Sequence, residues 1–184
     1  MILQTVNNVH LNRIFVGDNK KRKLNAGMQT IDKWGGVAFC SLNEGDKCPN
    51  TSVQNSIAAG VIYGGFIAPG HDCGDTASIK FKNNVAHSID GTGAFIFPDP
   101  ASSSSSTCYE GSYFAAYKNT DTPLTTEYTS SEVRMRNMVF IDSHKGVSLQ
   151  TSTGESNPTI IMSDSEIFGE GENDDCPRGQ PCLC

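Results

Sequence analysis

The stretch at residues 79–99, IKFKNNVAHSIDGTGAFIFPD, leaves the chain few folds to choose from. Ile79 and Phe81 alternate with lysines, Asn83 and Asn84 interrupt, and small residues and glycines follow (Ala86, Ser88, Gly91, Gly93). A second apolar run then covers Ala94 to Phe97. This is strand, corner, strand, with no room for a helix. Related patterns recur downstream. Phe81-Lys82-Asn83-Asn84 is echoed by Phe140-Ile141-Asp142-Ser143 and by Ile161-Met162-Ser163-Asp164-Ser165, and Gly93-Ala94-Phe95-Ile96 by Gly146-Val147-Ser148-Leu149. A degenerate repeat of this kind predicts an all-β stacked solenoid. Inward side chains pile into apolar columns, and Asn side chains form ladders at the corners. At roughly 20–25 residues per turn, about seven to nine coils are expected.

Strand-like runs are expected at 2–6, 9–16, 37–42, 53–59, 61–68, 78–81, 93–97, 112–117, 132–141, 146–150 and 159–168, separated by Gly, Asn, Asp, Ser and Pro. Residues 98–110, with the serine run Ser102 to Ser106, and the Thr/Ser-rich residues 119–131 read as two long loop insertions. Hydrophobic residues make up 37% and charged residues 18%, with 18 glycines. That balance suits short strands and many turns better than a helical bundle. A net charge of −6 argues against a nucleic-acid or anionic-membrane partner. The basic run at Lys20-Lys21-Arg22-Lys23 reads as a solvated loop.

Seven cysteines (Cys40, Cys48, Cys73, Cys108, Cys176, Cys182 and Cys184) form no zinc-binding spacing and read as disulfide candidates in an oxidising compartment. Cys40 with Cys48, Cys73 with Cys108 and Cys176 with Cys182 are plausible partners, although spacing alone fixes no connectivity. Asn50-Thr51-Ser52 is an N-glycosylation acceptor at Asn50. No apolar run is long enough for a leader or a membrane span, and CPRGQPCLC resembles the start of a cysteine-rich region. The expectation is a solenoid over residues 1–169, then a segment at 170–184 leading into further sequence, within a longer secreted or membrane-anchored protein.

With these residues in place, the chain from about Ser52 to Gly169 resembles the β-helix region of the fibrocystin and fibrocystin-like family. The carrying features are Gly64-Gly65-Phe66-Ile67-Ala68-Pro69, His71-Asp72-Cys73-Gly74, Asn83-Asn84-Val85-Ala86-His87-Ser88 and Gly91-Thr92-Gly93-Ala94-Phe95. Further matches are Phe140-Ile141-Asp142-Ser143 and Ser163-Asp164-Ser165-Glu166-Ile167-Phe168-Gly169. The resemblance implies a right-handed parallel β-helix, a pectin-lyase-like solenoid, in a large protein of the ciliary cell surface. Its partners would be neighbouring coils or other subunits of an extracellular assembly. It brings no catalytic residue, cofactor or metal.

The densest polar cluster is His71-Asp72-Cys73-Gly74-Asp75, followed within about a coil by His87 and Asp90. Stacking could bring Asp72, Asp75 and His87 together as a polysaccharide-cleaving or metal-binding group. Turn capping by the acids, a disulfide at Cys73 and corner hydrogen bonds from the histidines form the preferred structural alternative. Asp142, Asp164 and Asn83 look like one repeat position, with Ser143 and Ser165 as turn hydrogen-bonders. Trp34, Tyr63, Tyr109, Tyr113, Tyr117 and Tyr128 could stack on sugars if exposed, though core packing is the commoner role. No hydrolase, zincin, P-loop or dinucleotide motif stands in a supporting context. The function expected is non-enzymatic, structural or adhesive, and a glycan-binding or glycan-cleaving β-helix is the alternative.

Overall fold

The structure is a computed structural model. It describes residues 2–3, 8–17, 36–39, 50–75, 79–97, 108–129, 132–151 and 159–169. Sixteen strands and no helix lie among them. Sheet A stacks β1 (Ile2–Leu3), β4 (Val37–Phe39), β7 (Ile62–Pro69), β10 (Asp90–Phe97), β12 (Leu124–Thr129) and β14 (Ser148–Thr151), in that order. Sheet B stacks the rungs made by β2 with β3 (His10–Asn12, Phe15–Gly17), β5 with β6 (Ser52–Gln54, Ile57–Ala59) and β9 (Phe81–His87). It continues through β11 (Cys108–Tyr117), β13 (Glu132–Ile141) and β15 with β16 (Ile160–Ser163, Glu166–Phe168). Every pairing within these two stacks is parallel. The chain passes from A to B once per level, which is a parallel β-solenoid.

Six levels are described, against the seven to nine expected. Equivalent residues on successive levels lie 42, 28, 30, 24 and 27 positions apart, so most turns are longer than the assumed repeat. The Thr-rich residues 119–131, expected as a loop, contain β12, an interior strand of sheet A. Residues 98–107 of the other insertion lie outside the described residues, and Cys108 to Glu110 open β11.

Each rung of sheet B bends at one residue in the left-handed region. The column runs Arg13, Asn55, Asn83, Tyr113, Asn137 and Asp164, with φ between 51° and 56°. Asparagine tolerates this conformation because its short amide bonds locally. Asn83 Nδ2 donates to Asn55 Oδ1 at 2.6 Å and Asn55 Nδ2 to Asn12 Oδ1 at 2.8 Å, which is a corner ladder. The next corner repeats the device with Gly60, Ser88, Lys118 and Asp142, all at positive φ. The apparent equivalence of Asp142 with Asp164 is therefore corrected: Asn83 and Asp164 share the mid-rung corner, and Asp142 occupies the following one. By contrast, Gly93 and Gly146 do share a column, since Ile96 pairs with Thr126 and Thr126 with Leu149.

Inside, Phe66, Phe81, Phe114 and Phe140 are buried edge to face, with centroids 5.3–6.3 Å apart. Beside them a narrow seam holds Ala58, Ala86 and Ala116 of sheet B against Gly65 and Gly93 of sheet A. A Cβ on Gly93 would meet the Pro123 carbonyl of the next level at 2.4 Å and Ala116 Cβ at 3.2 Å. Glycine is what lets the levels close there.

Candidate functional site

After Pro69 the chain leaves sheet A through Gly70 and places β8 (His71–Asp72) antiparallel beside the start of β11, with His71 opposite Glu110. The approach is tight. A Cβ on Gly70 would lie 2.7 Å from the Tyr109 ring and 2.8 Å from the Glu110 carbonyl. Cys73 and Cys108 are disulfide-bonded, with Cα atoms 5.5 Å apart and 35 positions between them in sequence. The bond ties this excursion to β11, in agreement with the pairing considered from the sequence. Cys40, Cys48, Cys176, Cys182 and Cys184 lie outside the described residues.

His71 is 2% exposed, and its Nε2 lies 3.1 Å from Glu110 Oε1. The Nε2–H tautomer follows, because a carboxylate only accepts. Burial pushes the imidazole pKa below its ordinary value, and the charge and hydrogen bond of Glu110 oppose that shift without reversing it. The other Glu110 oxygen is 3.8 Å from Arg136 Nε on the next level. His71 Nδ1 is buried without a hydrogen-bond partner. No local pattern signals the His71–Glu110 pair, whose members are 39 residues apart and meet only through the antiparallel excursion.

The expected catalytic candidates do not converge. Asp72 pairs with Tyr109 on β8, and Asp75 closes a turn by donating its amide to the Asp72 carbonyl. His87 lies at the far end of its rung, in register with Tyr117, eight residues along β11 from Tyr109. At about 3.3 Å per residue that is on the order of 25 Å of strand, shortened only by the bend at Tyr113. His87 stacks on Tyr117, with ring centroids 4.8 Å apart and planes within 5°. Asp90, also near the cluster in sequence, starts β10 and accepts from Thr120 Oγ1. Among the described residues no three of His, Cys, Asp and Glu could share a metal ion.

Other expectations resolve one by one. Ser165 Oγ bonds the Ser163 carbonyl and accepts the Met138 amide, a corner device that Ser56 repeats toward Gln54 and Ile14. Ser143 Oγ is buried without a partner. Asn50 is an exposed corner residue whose Nδ2 donates to Asn8 Oδ1 at 2.9 Å. Tyr109 is buried in the core, whereas Tyr63 and Tyr113 are exposed. Tyr113 occupies the left-handed column where the adjacent levels carry Asn83 and Asn137, and Lys82 Nζ sits 5.3 Å from its ring centroid. Ser112 stands in register between Lys82 and Arg136. Trp34 and the Lys20 to Lys23 run lie outside the described residues, as does the Tyr128 side chain. No family model, curated protein or solved structure matches the chain.

Proposed function

We propose that the chain is a non-enzymatic structural or adhesive β-solenoid segment of an extracellular protein, of the fibrocystin-like, ciliary-surface kind its motifs resemble. One observation carries this reading. Asp72 and Asp75 lie together in the turn after β8, whereas His87 lies at the far end of its rung, so the acids and the imidazole do not converge on one point. The Cys73–Cys108 bond favours an oxidising compartment, and the exposed Asn50 corner is compatible with a glycan. The test is incubation with a panel of extracellular polysaccharides while reducing-end release is followed. No release is expected from the wild type. Release that disappears in Asp72→Ala would overturn the proposal.

A second reading, glycan binding without cleavage, has its own observation. Tyr113 is half-exposed and held at φ 52°, a conformation costing on the order of 1 kcal/mol for a bulky residue. Its ring lies beside Lys82, with Arg136 two levels from Lys82 along one column. An exposed aromatic ring next to a lysine suits an acidic sugar. Retention on a sulfated or uronate polysaccharide that is lost in Tyr113→Asn supports this reading, and equal retention of both proteins rejects it.

A further inference from the structure

The outward face of the second half of sheet B breaks the rule that a solenoid's exposed side is polar. Inward positions here are fixed by the buried Ala58, Ala86, Ala116 and Phe140, so the alternate residues face out. One outward column reads Phe15, Ile57, Val85, Ala115, Val139 and Glu166 in continuous register. The neighbouring column reads Gly17, Ala59, His87, Tyr117, Ile141 and Phe168. Twelve positions thus carry one carboxylate and one imidazole, and Phe15 and Phe168 are 67% and 52% exposed. The outward face of the first half of the same sheet is built differently, with Lys82, Glu110, Arg134 and Arg136. Phe15, Ile57, Ile141 and Phe168 are the exposed large apolar side chains of the two apolar columns, while Ala59 between them is buried, and a cluster of exposed apolar side chains on one face marks a candidate interaction site.

The edge of the face indicates what covers it. The mid-rung corner column is charged only at its two ends, Arg13 on the first level and Asp164 on the sixth, with Asn and Tyr between them. Both end residues are exposed. We propose that this face is closed by the same face of a second copy, with the two solenoid axes antiparallel. Face-to-face pairing of identical surfaces needs a two-fold axis lying in the interface. When that axis runs along the strands, the first level of one copy covers the sixth of the other. Arg13 then meets Asp164 of the second copy, and the contact occurs twice. Ala59 faces Ile141, and the Phe15 ring, which lies over Gly17, faces Phe168. A two-fold along the solenoid axis would set each corner residue against the far corner of its own level, which places Asp164 opposite Gly169 and leaves that carboxylate without an opposite charge. Such an interface is self-complementary and closes at two copies. Its apolar strip measures about 25 Å by about 10 Å from the strand spacings, well under the area a stable dimer buries, so weak association is what the strip alone can support.

Sedimentation equilibrium of the full chain up to about 1 mM, high enough to detect weak association, is the test. A reversible monomer–dimer equilibrium is expected. Ile57→Asp should weaken it by about tenfold or more, with circular dichroism unchanged. Arg13→Asp and Asp164→Arg should each weaken it severalfold, and the doubly exchanged chain should recover. Asp164→Arg is sterically reasonable, because Arg13 itself occupies that corner conformation. A monomer throughout the range overturns the proposal, as does growth beyond dimers by end-to-end stacking. So does a double exchange that leaves association as weak as the single variants.

Discussion

Replacing Gly93 with alanine aims a methyl group at backbone. The new Cβ would sit 2.4 Å from the Pro123 carbonyl oxygen, 3.1 Å from Asn119 Nδ2 and 3.2 Å from Ala116 Cβ. An ordinary contact to that oxygen needs roughly 1 Å more. No rotamer supplies it, because the first obstacle is main chain. Level four must therefore lift away from level five, where Gly93 N donates to the Thr122 carbonyl at 2.9 Å and Ala94 N to the Pro123 carbonyl at 3.0 Å. Overpacking costs about 1–3 kcal/mol, and weakening two hydrogen bonds adds about 0.5–1.5 kcal/mol each. A loss of about 2–6 kcal/mol is expected. Gly146 is the matched control, since it holds the same column position two levels on, yet a Cβ there meets nothing within 4 Å. Gly146→Ala should be neutral or stabilise by up to about 1 kcal/mol through the unfolded chain. Urea unfolding of both variants decides the matter. Equal midpoints for Gly93→Ala and Gly146→Ala would refute the argument that stacked levels, not local strand preference, demand glycine.

Other consequences are open to measurement. Phe114→Ala removes the ring that touches Phe66, Phe81 and Phe140, and should cost about 3–5 kcal/mol in urea unfolding. Replacing Cys73 and Cys108 together with serine opens a 35-residue loop and should cost up to about 4 kcal/mol on the chain-entropy scale; an unchanged midpoint would show that the bond constrains nothing. Because the His71 pKa is lowered in the folded protein from 6.5, the unfolded chain binds the proton first as pH falls. His71 therefore contributes to stability above pH 6.5, and that contribution declines below it toward the lowered folded value. His71→Gln should flatten the loss of stability between pH 7 and pH 5, and an unaltered slope would assign the loss to other groups. Tyr113→Asn returns the corner to the residue type of its neighbours and should raise stability by about 1 kcal/mol.

Much of the architecture was legible because it is written in short-range pattern. The Asn83 and Asp164 corners, the shared position of Gly93 and Gly146, and the run 132–141 all follow from large apolar residues set against small polar ones. β12 was obscured by its composition. Leu124 and Thr126 point inward with Thr125 between them, all three buried, so the alternation lacks the contrast that marks a strand. β-branched threonine suits a pleated surface all the same. Asp142 was misplaced because both corner columns of sheet B use positive-φ residues and each contains an aspartate, Asp164 in one and Asp142 in the other. The His71–Glu110 pair and the apolar outer strip depend on which levels meet, and a period varying from 24 to 42 residues hides that register from local inspection.

The central claim is that successive rungs lie parallel and in register. Nuclear Overhauser contacts within the alanine seam test it most directly. The stacking predicts that the Ala86 methyl contacts both Ala58 and Ala116, residues 28 positions before it and 30 after it on adjacent levels. It also predicts no close Hα–Hα pairs between β9 and β11, since parallel ladders lack the narrow pairs of antiparallel ones. Strong Hα–Hα contacts between those strands, or an Ala86 methyl that meets neither partner, would contradict the account.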